Sequence, residues 1–188
     1  MGCDTMLHFL YLGNLLVEKG PLLLLDACEI LQAKGLPFHC HIVGAPTSEI
    51  SIEDLQQRLA AKGIYENVTI HGARYGHDKE QLLQKADVMV FPTFYHNECF
   101  PLVLLEGMKH MQALISTKEG AIPDIIQHGT TGLLVEQQNT QALADAMHQL
   151  IEAPDKAKQM GQAAHARYLS HFTEVSFIEC LAGILRNA

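Results

Sequence analysis

A chain of 188 residues that is 48% hydrophobic and 18% charged can bury a substantial core as one domain and is neither disordered nor fibrous. Thirteen basic against 21 acidic residues give a net charge of −8 with histidine neutral, and no run of Lys or Arg forms a phosphate-tracking stripe, which argues against a nucleic-acid partner. No apolar run reaches the roughly 20 residues of a membrane span, and the five cysteines (Cys3, Cys28, Cys40, Cys99, Cys180) are odd in number, scattered and without a C-x-x-C pair, so they read as reduced thiols rather than a disulfide frame or a zinc site.

The amino terminus lacks the charged-then-apolar pattern of a signal peptide and starts abruptly before a strand, as expected of a chain whose upstream part is missing. Leu7 to Leu12 is an apolar run closed by Gly13, a first strand. Glu18-Lys19-Gly20-Pro21 opens a helix through about Gln32, ended by Gly35 and Pro37. Its Leu22 to Leu25 run is apolar nearly all round and predicts burial. Phe38 to Val43 alternates and stops at Gly44, a second strand. Ser51 to Lys62 reads as a helix with a loose capping box, Ser51 three residues before Asp54. Asn67 to His71 is a third strand, the loop Gly72-Ala73-Arg74-Tyr75-Gly76 follows, and Asp78 to Lys85 is a short helix. Val88 to Phe91 is a fourth strand and Ala113 to Ser116 a fifth. The loop from Lys118 to Asp124, a turn at His128-Gly129 and a sixth strand, Gly132 to Val135, complete the sheet. From Thr140 the pattern is helical, with Pro154 marking a break. This alternation predicts right-handed βαβ units: an α/β fold with a doubly wound parallel sheet of about six strands and a helical tail over about the last 15 residues, in one domain spanning 1–188.

The most informative stretch lies between the fourth and fifth strands. Phe91-Pro92-Thr93-Phe94-Tyr95-His96-Asn97-Glu98-Cys99-Phe100-Pro101 is a polar, aromatic loop, and Leu102 onward is a leucine-rich helix with Pro101 expected at its first position. The amides of Leu102 and Val103 then sit at a helix N-terminus at the carboxyl end of a strand, where open α/β sheets bind anions. Glu98 and Glu106 flank the turn with seven residues between them. Such a pair arises often by chance; the strand–turn–helix context gives it weight. Lys19 belongs to the same sheet edge and reads as a phosphate-binding point charge, or as a surface lysine where the helix macrodipole slightly disfavours a cation. Gly13 and Lys19-Gly20 are neither a Walker A loop nor a G-x-G-x-x-G fingerprint. His39 and His41 alternate on a strand without a third ligand at useful spacing, so satisfied or exposed histidines are expected rather than a metal site. His96 and Asn97 read equally as ligand contacts or as loop residues, and Cys99 as a structural or specificity residue. The Met-bearing segment Gly107 to Met111 reads as core.

Gly13-x-x-x-x-Glu18-Lys19-Gly20, Glu98-Cys99-Phe100-Pro101-Leu102-x-x-x-Glu106, Gly120-Ala121-Ile122-Pro123-Asp124 and Gly129-x-x-Gly132-Leu133-Leu134-Val135 together resemble glycosyltransferase family 4. These are retaining enzymes of the GT-B fold that use nucleotide-sugar donors. The likeness extends to Met160-Gly161 and Phe172-Thr173, and covers the carboxyl-terminal, donor-binding, Rossmann-like half of such an enzyme. The amino-terminal acceptor domain is absent from the match.

The resemblance implies catalytic roles for Glu98, near the donor sugar, and for Lys19, on the diphosphate. It implies that Glu106 holds the ribose hydroxyls and that amides from Cys99, Phe100, Leu102 and Val103, around Pro101, meet sugar and diphosphate. Gly13, Asn14, His96, Asn97, Gly72 and Arg74 complete the implied donor site, with the loop Gly72 to Tyr75 beside the base. It implies a UDP- or GDP-hexose donor, a glycan or lipid-linked acceptor, no metal, and a cytoplasmic protein, peripheral at most at the inner face of the membrane. Three positions depart from the family pattern. Asn14 stands where an arginine is common, with Arg74 as a candidate replacement, and Cys99 and Ala121 stand where glycines are usual. The alternative reading is a non-catalytic nucleotide-binding or interaction module built on this fold. A flavodoxin-like receiver would need clustered aspartates at the strand ends, which the sequence lacks.

Overall fold

The structure, a computed structural model, describes residues 6–186. Cys3 therefore lies outside the described residues, as does the side chain of Cys180. Six strands, β1 (Leu7–Leu12), β2 (Phe38–Val43), β3 (Val68–Gly72), β4 (Val88–Phe91), β5 (Ala113–Thr117) and β6 (Gly132–Val135), form one parallel sheet in the order β3-β2-β1-β4-β5-β6. The predicted α/β doubly wound sheet is thus present, each strand within about one residue of its predicted bounds. Every residue of β4 and β5 is buried, the state expected of continuous apolar runs covered on both faces.

The helices are α1 (Pro21–Ala33), α2 (Ile52–Lys62), α3 (Gly76–Lys85), α4 (Leu102–Lys109), α5 (Ile122–Ile125), α6 (Thr140–Glu152), α7 (Pro154–His171) and α8 (Glu174–Arg186). One layer packs α1 against α2 and α6; the other packs α4 against α7. Four expectations are corrected. The helix expected from Glu18 is a 3-10 turn, Val17–Lys19, followed by Gly20 in the left-handed region, so α1 starts at Pro21. Pro101 is the cap of α4, with ψ of 102°, and Leu102 is the first helical residue. The loop from Lys118 contains the short helix α5. Met108 is core as expected, but Met111 is 54% exposed, because the chain leaves α4 there with a positive φ of 58°. The capping box on α2 is complete: the Ser51 hydroxyl accepts from the Asp54 amide and the Asp54 carboxylate accepts from the Ser51 amide.

The strand histidines are satisfied, as predicted, but in a larger group than β2 alone suggested. His8 on β1, His39 and His41 on β2, and His71 on β3 share one sheet face. His41 Nε2 lies 3.3 Å from His8 Nδ1, and its Nδ1 lies 3.0 Å from His71 Nε2. His41 is only 3% exposed. Burial, reinforced by His39, Lys85 of α3, His71 and His8, lowers its pKa from 6.5 to about 3. Burial first and neighbouring positive charge second also lower His39 and His71. Since the folded pKa lies below the unfolded one, the unfolded chain takes up the proton first. This contribution to stability is complete above the unfolded pKa near 6.5 and declines as pH falls toward 3. The urea midpoint is therefore expected to fall between pH 7 and pH 5, where carboxylates hardly titrate, and to fall less in His41→Leu. An equal decline in both proteins would remove His41 as the cause.

Candidate functional site

β1 and β4 are neighbours in the sheet but pair through only two residues, Phe9 with Val88 and Leu10 with Met89. Beyond them the carboxyl ends part, and the loops that follow line a crevice at the point where the strand order reverses. After β1 the chain stays with the β2 segment for three more residues, the Gly13 amide donating to the Val43 carbonyl at 3.0 Å and the Leu15 amide to the Ala45 carbonyl at 2.9 Å. From beneath, the buried Tyr11 hydroxyl donates to the Asn14 carbonyl at 3.0 Å. Burial, with the charge of Glu98, pushes the Tyr11 phenol far above its ordinary pKa, so it remains a neutral donor.

The loop after β4 is fastened to the 3-10 turn. The Glu18 carbonyl accepts from the Phe94 amide at 2.8 Å and from the Thr93 hydroxyl at 3.3 Å, and the Thr117 hydroxyl donates to the Thr93 carbonyl. Gly20, at φ of 81°, leaves no room for a Cβ, which would overlap the Pro92 carbonyl oxygen. These links bring Lys19 Nζ to 3.4 Å from Glu98 Oε2 and to 5.8 and 5.9 Å from the ring centres of Phe91 and Tyr95. The Lys19–Glu98 contact is an ion pair without hydrogen-bond alignment: Glu98 Oε2 is buried and accepts no hydrogen bond.

Beside this pair lies a cavity of about 190 Å³ whose walls include Gly13, Asn14, Arg74, Val103 and Glu106. Five residues chosen from sequence thus converge on one space, and Glu98 and Lys19 adjoin each other on the crevice. Cys99 is exposed and its φ is not positive, so the residue in place of the usual glycine adopts its backbone without strain. Ala121, at φ of −85°, does the same. His96 and Asn97 are exposed and bonded to each other at 3.2 Å. Gly72 ends β3, where its carbonyl accepts from the Gly44 amide, and it is not among the residues that line the cavity. The side chains of Phe100 and Leu102 leave the cavity altogether and line a separate apolar groove with Phe172 and Phe177; only their backbone belongs to the α4 N-terminus. Sequence reasoning missed Lys79, Gly44 and Ala45 in the cavity wall and Tyr11 beneath it. Gly44 carried a signal as the stop of a strand; Lys79 carried none. Among the described residues, no group of three or more His, Cys, Asp or Glu is arranged to hold a metal ion, and no helix is long and apolar enough to cross a membrane.

A parallel sheet in this order with a crevice at the β1/β4 switch defines a Rossmann-like class of α/β domain. Residues 4–167 match the family model for glycosyl transferases group 1, and the chain belongs to that family. It is similar to the D-rhamnosyltransferase WbpZ of Pseudomonas aeruginosa, 37% identical over 166 residues, which cover 88% of this chain and 41% of the relative. It thus spans about two fifths of that protein's length. Among solved structures it resembles Anabaena HepE in complex with UDP and glucose, with a TM-score of 0.84, 22% identity and coverage of 98% of this chain and 49% of the other. The C-terminal domain of the group 1 glycosyl transferase LpcC from Francisella tularensis is matched over 87% of its length, with 89% of this chain covered, a TM-score of 0.79 and 23% identity.

The loop after β5 presses on the Glu98 turn through Gly120. Its φ is 50°, and a Cβ there would overlap the Glu98 carbonyl oxygen, whereas Gly35, at φ of 69°, has open space around it. Gly35→Ala is expected to cost only the left-handed backbone penalty, about 1–2 kcal/mol. Gly120→Ala adds overpacking of about 1–3 kcal/mol. Urea unfolding of both variants checks this, and equal losses would show that the contact is loose.

Proposed function

We propose that this chain is the nucleotide-sugar-binding half of a retaining glycosyltransferase of family 4. The whole enzyme would transfer a hexose from a UDP- or GDP-sugar to a glycan or lipid-linked acceptor. The observation that carries this reading is the convergence of Glu106, Gly13, Asn14, Arg74 and the start of α4 on one cavity, with the Lys19–Glu98 pair beside it. Glu106 would accept the two ribose hydroxyls, since an ionised carboxylate only accepts. Lys19 and the first amides of α4 would face the diphosphate, where helix N–H groups lack intrahelical partners. Glu98, beside Lys19, would meet the donor sugar.

Departure of a nucleoside diphosphate concentrates negative charge on its oxygens. A lysine already held in the crevice, together with fixed backbone amides, stabilises that charge without reorganisation and without a metal ion. Asn14 cannot supply the charge of the arginine common there, and the exposed Arg74, whose Nη1 bonds its neighbouring Ala73 carbonyl at 3.1 Å, is the candidate to replace it. A cavity of about 190 Å³ is smaller than the roughly 300–1,000 Å³ of sites that enclose a whole ligand, which supports a donor held on an open face that a second domain closes. The exposed Phe100, Leu102, Val175, Phe177 and Ile178 supply an apolar surface for that acceptor-binding domain, because patches of this kind mark interfaces. The enzyme would work in the cytoplasm, at most peripherally at the membrane. The observation favouring a nucleotide-binding module without transfer activity is Asn14 in the cavity wall.

Thermal shifts with UDP, GDP, ADP and their common hexose conjugates test the proposal. A ligand at about 100-fold above its Kd adds roughly 2.7 kcal/mol, a rise of about 5–11 °C for a domain of this size. One nucleotide is expected to give that rise in the parent protein and to lose most of it with Glu106→Ala or Lys19→Ala. No shift with any nucleotide or conjugate would overturn donor binding by this chain. A shift retained in both variants would overturn the assigned site. Transfer to an added acceptor by residues 1–188 alone would overturn the need for a second domain.

A further inference from the structure

We propose that Lys79 is a positioning residue for Glu106, fixing its carboxylate so that the site prefers ribonucleotides over nucleotides that lack ribose hydroxyls. This inference rests on the nucleotide-sugar reading given above. Lys79 Nζ donates to Glu106 Oε2 at 2.9 Å, bridging α3 to α4 across the cavity that both side chains line. The two side chains are 31% and 34% exposed.

Lys79 stands in the first turns of α3, where the helix macrodipole disfavours a cation, and it reaches over the cavity instead of out to water. α3 and the α4 segment are already joined twice, by Glu80 to His110 at 2.8 Å, one turn along from Glu106, and by Gln112 Nε2 to the Leu83 carbonyl at 2.6 Å. A third link between half-exposed groups adds little to stability. Its effect falls on the carboxylate.

Glu106 has about four acceptor positions on its two oxygens. Lys79 occupies one on Oε2, which leaves about three, enough for two neighbouring hydroxyls. Without that anchor the carboxylate regains rotamer freedom, which each binding event must then remove. Lys79 is hydrogen-bonded to its carboxylate at 2.9 Å, whereas Lys19 faces Glu98 at 3.4 Å without a hydrogen bond.

Calorimetric titration of the parent protein, Lys79→Met and Lys79→Arg with UDP, GDP and their 2′,3′-dideoxy counterparts tests this. The parent is expected to bind the better of UDP and GDP about tenfold or more tightly than its dideoxy form, as hydrogen bonds to a charged acceptor imply. Lys79→Met is expected to reduce that preference to about threefold or less, through weaker binding of the ribonucleotide alone and with an unchanged urea midpoint. Lys79→Arg should restore part of it. A preference preserved in Lys79→Met, with both ligand forms weakened equally, would overturn the inference and make Lys79 a direct phosphate or base contact. A parent that binds neither UDP nor GDP would overturn the nucleotide reading, and the inference with it.

Discussion

The site depends on two strands that share a sheet position without sharing a sequence neighbourhood. β1 and β4 lie side by side, yet their pairing is confined to Phe9–Val88 and Leu10–Met89. The constraint is topological. After β3 the chain returns to the middle of the sheet and continues outward on the other side, and right-handed crossovers then place the connections of the two halves on opposite faces. Loops leaving β1 and β4 therefore diverge, and a crevice opens between them with no gap in the sheet below. Phe9, Leu10, Val88 and Met89 beneath it are essentially inaccessible to solvent, so the crevice rests on packed core rather than on anything deformable.

Such an edge exposes backbone groups that must be satisfied, and buried side-chain hydroxyls do much of this. Thr93 and Thr117 tie the loop after β4 to its neighbours, Ser116 donates to the Phe91 carbonyl, and Tyr11 supports Asn14 from below. Against that background, Glu98 Oε2 is buried without a hydrogen bond and faces Lys19 Nζ at 3.4 Å. The histidine face of β1, β2 and β3 shows the opposite outcome. Four imidazoles that invite a metal reading in the sequence satisfy one another and Thr69, at the cost of an acid-sensitive interior.

Neither Lys19 nor Glu98 lines the cavity, but the segments that follow β1 and β4 contribute to both the cavity wall and the pair. Membership of the group 1 glycosyl transferases and the chain's coverage of about two fifths of WbpZ agree with an incomplete enclosure. The proposed second domain would close the site and cover the apolar side chains around Phe100 and Phe177.

Strand and helix order was legible because it follows from local periodicity: continuous apolar runs at β1, β4 and β5, glycine stops at Gly13 and Gly44, and a capping box at Ser51 each report on residues adjacent in sequence. The ordered motifs around Lys19, Glu98 and Glu106 were legible for the same reason, and they pointed to the glycosyl transferases, whose group 1 family the chain matches. What the sequence could not supply was contact across elements. Whether Phe100 and Leu102 faced the cavity or a second groove depended on how Pro101 started α4. That His8 and His71 joined His41 depended on strand register. That Lys79 met Glu106, 27 residues away, depended on how α3 lies beside α4. Local pattern determined which elements form and which residues are chemically suited to a site. The tertiary structure alone decided which of them meet, because distances between side chains on different elements are set by sheet order and helix packing, and no spacing along the chain encodes those.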